Sequence, residues 1–148
     1  MSRRIDLNTG DLFPIPRPVA AIEGTMDFRL AVTGEVREML AEAKAAGLDR
    51  YDIAARASKL AGRDVSKQML DGYTADSREE FNVPLWLAPV LETVCDSTRL
   101  SVWHAGVRGG QLLIGDDVLD AEVGRAERAA AAATDRLRAL REMRRRTR

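Results

Sequence analysis

The sequence predicts an all-α protein: a helix-turn-helix body with an extended N-terminal arm and a long C-terminal oligomerisation helix. Three observations carry that expectation. Apolar residues recur at steps of three and four through most of the chain. The segment Tyr51 to Thr74, YDIAARASKLAGRDVSKQMLDGYT, reads as two short helices around a tight turn, and the last thirty residues carry a heptad seam. The run Gln111 to Ile114 is too short to build a sheet.

With 148 residues, 45% hydrophobic and 31% charged, the chain buries one modest core rather than two. The expected division is an arm over 1–24, a helical body over 25–114 with the motif at 49–74, and a coiled-coil-like helix over 115–148. Lys plus Arg and Asp plus Glu number 23 each, so no global positive field drives nonspecific binding to nucleic acid or membrane. DNA binding has to come from local charge. Cys95 is the only cysteine, which excludes an intrachain disulfide and a cysteine-based zinc site, and its expected role is a small buried residue. MSRRIDLNTG lacks the apolar core of a signal peptide, and no apolar run approaches the roughly 20 residues needed to span a bilayer. A soluble intracellular protein of a reducing cytoplasm, without membrane contact, is expected.

In the arm, Phe13-Pro14-Ile15-Pro16-Arg17-Pro18 forces an extended backbone. Packing of Leu12, Phe13 and Ile15 on the body or on a partner subunit is the first reading. Entry of Arg3, Arg4 and Arg17 into a minor groove is the second. From Met26 to Ala46, Phe28, Val32, Val36, Met39 or Leu40, and Ala43 mark a core helix that Gly47 ends.

For the first motif helix, Asp49 is the cap, Asp52 sits near the positive end, and Ile53, Ala54, Ala57, Leu60 and Ala61 form the apolar stripe. Gly62 fits the left-handed stop. Ser66 caps the second helix, with Val65 and Leu70 in the positions of a hydrophobic staple. Met69, Leu70 and Tyr73 face inward. That leaves Ser66, Lys67, Gln68, Asp71 and Thr74 outward, with Arg63 in the turn, as candidate contacts to base edges and phosphates. Gln68 suits an adenine edge, Lys67 a guanine or a phosphate, and Asp71 argues against a phosphate-facing position. The same pattern also serves as a packing unit in all-helical proteins, where a polar outer face needs no ligand.

After the polar link Ala75 to Glu80, Pro84 fits the first turn of a helix from about Val83, which Pro89 bends or restarts. Trp86, Leu87, Val90, Leu91 and Val94 are expected core. A short helix over Arg99 to Val107 holds Trp103 and the only histidine, His104, whose expected role is structural. Ser101 near His104 has no recognisable third partner or oxyanion-hole motif. With no phosphate loop, defined carboxylate pair or metal cluster, the sequence points to no catalytic residues, no metal and no cofactor, and to a protein that is not an enzyme.

The last helix is capped by Asp116 or Asp117 and runs to about Met143. Leu119, Val123, Ala126, Ala130, Ala133, Leu137 and Leu140 alternate in steps of four and three along it. Alanine in the middle lets two helices approach closely, so a homo-oligomer, dimer or tetramer, is preferred over a helix folded back on its own body. Residues 136–148 contain seven arginines and one glutamate, net +6. Part of that cluster suits the negative helix end, and the excess suits phosphate or an acidic partner.

The stretches IDLNTGDLF (5–13) and IAARASKLAGRDVSKQMLDGYTADSREE (53–80), followed by a helical tail, resemble small early-region proteins of Mu-like transposable bacteriophages. VSKQMLDGYTADSRE is the most specific stretch. A weaker likeness to the lambda CII-like phage regulators is limited to the helix-turn-helix and an oligomerising C-terminus. These resemblances imply a phage or prophage DNA-binding regulator in the host cytoplasm. The second would put Ser66, Lys67, Gln68 and Asp71 on a recognition helix, with paired subunits reaching major grooves about 34 Å apart. The chain departs from the CII pattern by its arm, its longer stretch between motif and tail, and a first motif helix about a turn longer. The function expected is therefore sequence-specific binding of double-stranded DNA in transcriptional regulation. The alternatives are an interaction or assembly factor with a phage or host protein partner, and an architectural protein binding DNA without sequence preference in transposition.

Overall fold

The computed structural model describes residues 15–78 and 80–147. They form six α-helices: α1 (Arg29–Ala45), α2 (Arg50–Ala61), α3 (Lys67–Tyr73), α4 (Ala88–Cys95), α5 (Arg99–Val107) and α6 (Asp116–Arg146). The fold is all-α, and the only β pairing among the described residues is an isolated bridge between Pro18 and Arg108. Two compact units divide between Gln111 and Leu112.

In the first unit, α1 buries Thr33, Val36, Met39, Leu40 and Ala43, one face at helical spacing. It starts at Arg29 rather than Met26, because the Asp27 carboxylate accepts from the Arg29 backbone N–H (3.1 Å) and guanidinium and turns the chain there. Gly47, at φ 92°, ends the run as expected. In α2, Asp49 accepts from the N–H groups of Tyr51 (2.8 Å) and Asp52 (2.9 Å), and Gly62 takes the left-handed conformation at φ 62°. Ile53, Ala54 and Ala57 are buried. Burial stops one turn before the helix ends, so Leu60, expected in the stripe, is 60% exposed.

Five residues, 62–66, separate α2 from α3. The Ser58 hydroxyl bridges them: it accepts from the Val65 N–H (2.9 Å) and lies within donating distance of the Ala54 (2.9 Å) and Val65 (3.1 Å) carbonyls. Ser66 Oγ accepts from the Met69 N–H at 3.2 Å, the capping bond of α3. Val65, Leu70 and Tyr73 are buried, while Met69 is half-buried. Tyr73 stacks on Phe81 with centroids 4.9 Å apart. Gly72 permits this, because a Cβ there would come within 2.5 Å of the Phe81 ring.

The helix expected from Val83 begins instead at Ala88, with Pro89 in its first turn. Proline has no N–H to donate and its ring clashes with the carbonyl four residues back, so the helix starts beside Pro89 and leaves Pro84 in the preceding turn. Leu87 and Leu91 are fully buried, Val90 and Val94 half-buried, but Trp86, expected in the core, is 44% exposed. Cys95 is also only half-buried, and burial raises its thiol to about 11. Helix α5 matches its expected bounds. The Glu92 carboxylate accepts from Ser101 N–H (2.8 Å) and Oγ–H (2.6 Å), satisfying an N-terminal donor of α5 from the neighbouring helix. Arg99 ties α5 to α1 through Glu35 (3.0 Å) and Glu42 (3.2 Å).

Of the proposed arm, residues 1–14 with Arg3, Arg4, Leu12 and Phe13 lie outside the described residues. Beyond them, the Val19 N–H donates to the Val107 carbonyl at 3.0 Å, and Pro18 passes so close to Gly109 that a Cβ there would meet it at 2.3 Å. Ile15 is 83% exposed, so of the two sites expected to receive it, the body or a partner subunit, the body does not.

In the second unit, α6 reaches Arg146, one turn past Met143. Gly115 occupies its N-cap without a side-chain bond, so neither Asp116 nor Asp117 caps it; both lie inside the first turn. No residue of α6 is buried.

Replacing Ser58 by Ala leaves the Val65 N–H without its partner, and the expected cost is about 1–3 kcal/mol in urea unfolding. Gly72→Ala displaces Phe81 from Tyr73 and is expected to cost about 1–3 kcal/mol by the same measurement.

Candidate nucleic-acid interface

The outer side of α3 is built by its first turn and by what α2 lays against it. Gln68 is exposed. Ser66 spends a lone pair on the Met69 N–H and keeps its own proton to donate. Lys67 and Asp71, four residues apart, pair at 2.6 Å. The second Asp71 oxygen takes Arg50 Nη1, also at 2.6 Å. The same Arg50 nitrogen donates to Thr74 Oγ1 at 3.0 Å, and Thr74 in turn bonds carbonyls of Leu70 and Asp71. Thr74 is thus consumed by the end of α3 and is half-buried.

Asp71 is therefore the centre of a charge cluster. Hydrogen bonding to Lys67, reinforced by Arg50, holds its carboxyl below the usual carboxylate range. The same Asp71 contact raises the Lys67 ammonium above its ordinary value. Arg63, in the turn, lies over the Trp86 ring at 5.3 Å, and Lys67 lies 5.8 Å from the Tyr51 ring centroid. Between residues 49 and 74, five basic side chains (Arg50, Arg56, Lys59, Arg63, Lys67) stand against four aspartates, net +1.

The structure brings Ser66, Lys67, Gln68 and Asp71 together on α3, joined by Thr74 at its end. It also adds Arg50 and Tyr51 at the start of α2, to which the sequence analysis gives no role. Nothing in spacing along α2 points to α3; the packing of the two helices does.

The seam residues of α6 share one exposed side. Leu119 is 63% exposed, Val123, Leu137 and Leu140 are 47–54% exposed, and Ala126, Ala130 and Ala133 are exposed between them. A third feature was not foreseen: an apolar groove of about 650 Å³ walled by Phe28, Val32, Val83, Leu85, Pro89 and Trp103, with His104 and Arg108 on its rim. Its polar floor, buried Glu92 and half-buried Ser101, pairs internally, so the groove presents mainly apolar surface.

Comparison with family models, with curated proteins and with solved structures found no match to this chain. Among the described residues, no group of three or more His, Cys, Asp or Glu side chains gathers as for a metal ion. None of their helices is long and apolar enough to cross a membrane.

The pairing fixes the sign of a pH effect. A carboxyl lowered in the folded state contributes stability above its unfolded value, and that contribution is lost as pH falls through the folded value. A raised ammonium contributes until pH rises past its ordinary range. Between about pH 5 and 9 the pair is flat, and below about pH 4 it weakens. Urea midpoints measured against pH are expected to fall less steeply on the acid side for Asp71→Asn than for the wild type.

Proposed function

We propose that the chain is a DNA-binding regulator in which α3 enters the major groove, its N-terminal residues Ser66, Lys67 and Gln68 meet base edges, and α6 pairs copies. The observation that supports this reading is the build of α3. A seven-residue helix capped by Ser66 is held by a five-residue turn on α2, with an exposed Gln68 next to cationic Lys67 and with Arg63 in the turn. Bidentate amide contact to adenine and cation contact to guanine or phosphate are the chemistry those side chains supply. The phage or prophage setting implied by the sequence resemblance gives this reading its context: a host-cell regulator acting on double-stranded DNA as a homo-oligomer.

Lys67 and Arg50 reach phosphate only by leaving Asp71, so the face is restrained in its nonspecific attraction. Recognition then depends on contacts made after that pair opens. Replacing Asp71 removes the competitor while keeping both cations.

A second reading, a factor that docks on a phage or host protein, draws on the groove at Phe28 and Trp103 and on the near-neutral charge of the α2–α3 segment.

Selection from random-sequence DNA pools tests the first reading. Enrichment of a spaced repeat is expected, and the Lys67→Ala, Gln68→Ala double variant is expected to lose that enrichment with at least about a tenfold drop in affinity. Binding without enrichment indicates an architectural role, and no binding even at low salt supports the protein-docking role. In fluorescence anisotropy at low salt, Asp71→Asn is expected to bind DNA roughly threefold or more tightly than the wild type, with a steeper salt dependence.

A further inference from the structure

We propose that α6 pairs with a second copy of itself in the antiparallel sense, with charge selecting the orientation. The inference rests on the oligomerising role given to α6 above, and it adds the partner helix's direction.

The apolar seam by itself accepts either orientation. It is nearly symmetric about Ala130: Leu119 and Val123 stand at one end, Leu137 and Leu140 at the other, and alanines fill the middle. Large residues meet large ones, and small ones meet small ones, whichever way the second helix runs.

The charges are not symmetric. Residues 116–127 hold five acids (Asp116, Asp117, Asp120, Glu122, Glu127) and one Arg, net −4. Residues 135–146 hold six arginines and two acids, net +4. Acid at the start and base at the end also suit the helix dipole, but that effect falls off within the first and last turn. Here the acidic half runs to Glu127, three turns in, and the basic half begins at Arg136, ten residues before the end. Glu122 and Arg136 immediately flank seam residues, where side chains of a paired helix would meet them.

In a parallel pair the two −4 halves lie side by side, and so do the two +4 halves. Antiparallel pairing sets each −4 half against a +4 half along the whole seam, and it also opposes the two helix dipoles. All seven seam residues are exposed in the single chain, so the face is open to this partner. Two points of α6 21 residues apart along the axis are separated by about 32 Å, which makes the two orientations easy to tell apart.

The experiment uses the full chain with Cys95→Ala, so that introduced thiols stand alone. Val118→Cys and Ala139→Cys are prepared separately; both positions are exposed on α6, and circular dichroism checks that helix content is kept. Each variant alone and an equimolar mixture are treated with a bismaleimide spanning about 10 Å, and products are identified by mass. The expected result is a cross-linked Val118→Cys with Ala139→Cys product in the mixture and little product from either variant alone. Self-cross-linking of each variant alone overturns the antiparallel assignment while leaving oligomerisation standing. A monomer in sedimentation equilibrium with no cross-link in any sample overturns both.

Salt supplies the second readout. The dimer dissociation constant of the wild type is expected to rise at least about threefold between 50 and 500 mM NaCl, as screening weakens the opposed halves. A constant that stays level or falls overturns charge as the selector of orientation.

Discussion

The placement of α3 depends on the Ser58 hydroxyl and the left-handed Gly62 at the end of α2. Seven residues make two turns, too few to hold a helix in water without outside support. What α3 lacks in length it receives from its setting. Gly62 turns the chain, Ser58 fastens the Val65 backbone beneath it, Ser66 closes the first turn, and the burial of Leu70 and Tyr73 against the core fixes its rotation. Rotation is what selects the residues left outside. Any loosening of the turn alters which side chains face a partner.

The charges follow from that placement. Read along the chain, Lys67 and Asp71 are two polar residues on one helix and Arg50 is the first residue of another. In the fold they form one cluster, because the start of α2 lies beside the end of α3. Asp71 then looks less like an obstacle to phosphate than a holder of two cations. The interaction is partly exposed, so its contribution to stability is small.

The elements best legible in the sequence were those with strong local signals. Asp49, Gly62, Ser66 and the 99–107 helix act through neighbours a few residues away, so their roles follow from spacing. Trp86 and Leu60 were misassigned for the opposite reason. Their hydrophobicity is a local property, but burial depends on whether another element covers them, and none among the described residues does so fully. Pro89 shows a third case. Two prolines five residues apart offer two helix starts; the helix begins beside Pro89, and Leu87 and Leu91 at and just after that start are both buried. The groove had no sequence signal at all, since Phe28, Val83 and Trp103 come from three separate segments.

The two units draw stability from different sources. The first is held by burial: Val36, Met39, Ile53, Leu70, Leu87 and Leu91 are all fully enclosed. Helix α6 encloses nothing. Its support is intrinsic: an alanine run at 129–133, acids in the first turn, arginines in the last, and near-neighbour pairs such as Arg125 with Glu122. A helix stable on such terms does not need its seam in order to form. Four large apolar residues repeating at heptad spacing are therefore not accounted for by folding of the single chain, and the pairing proposed above gives them a role. In the proposed pair, burial of that seam is free energy gained wholly on assembly, so the oligomeric state is expected to respond to concentration and salt.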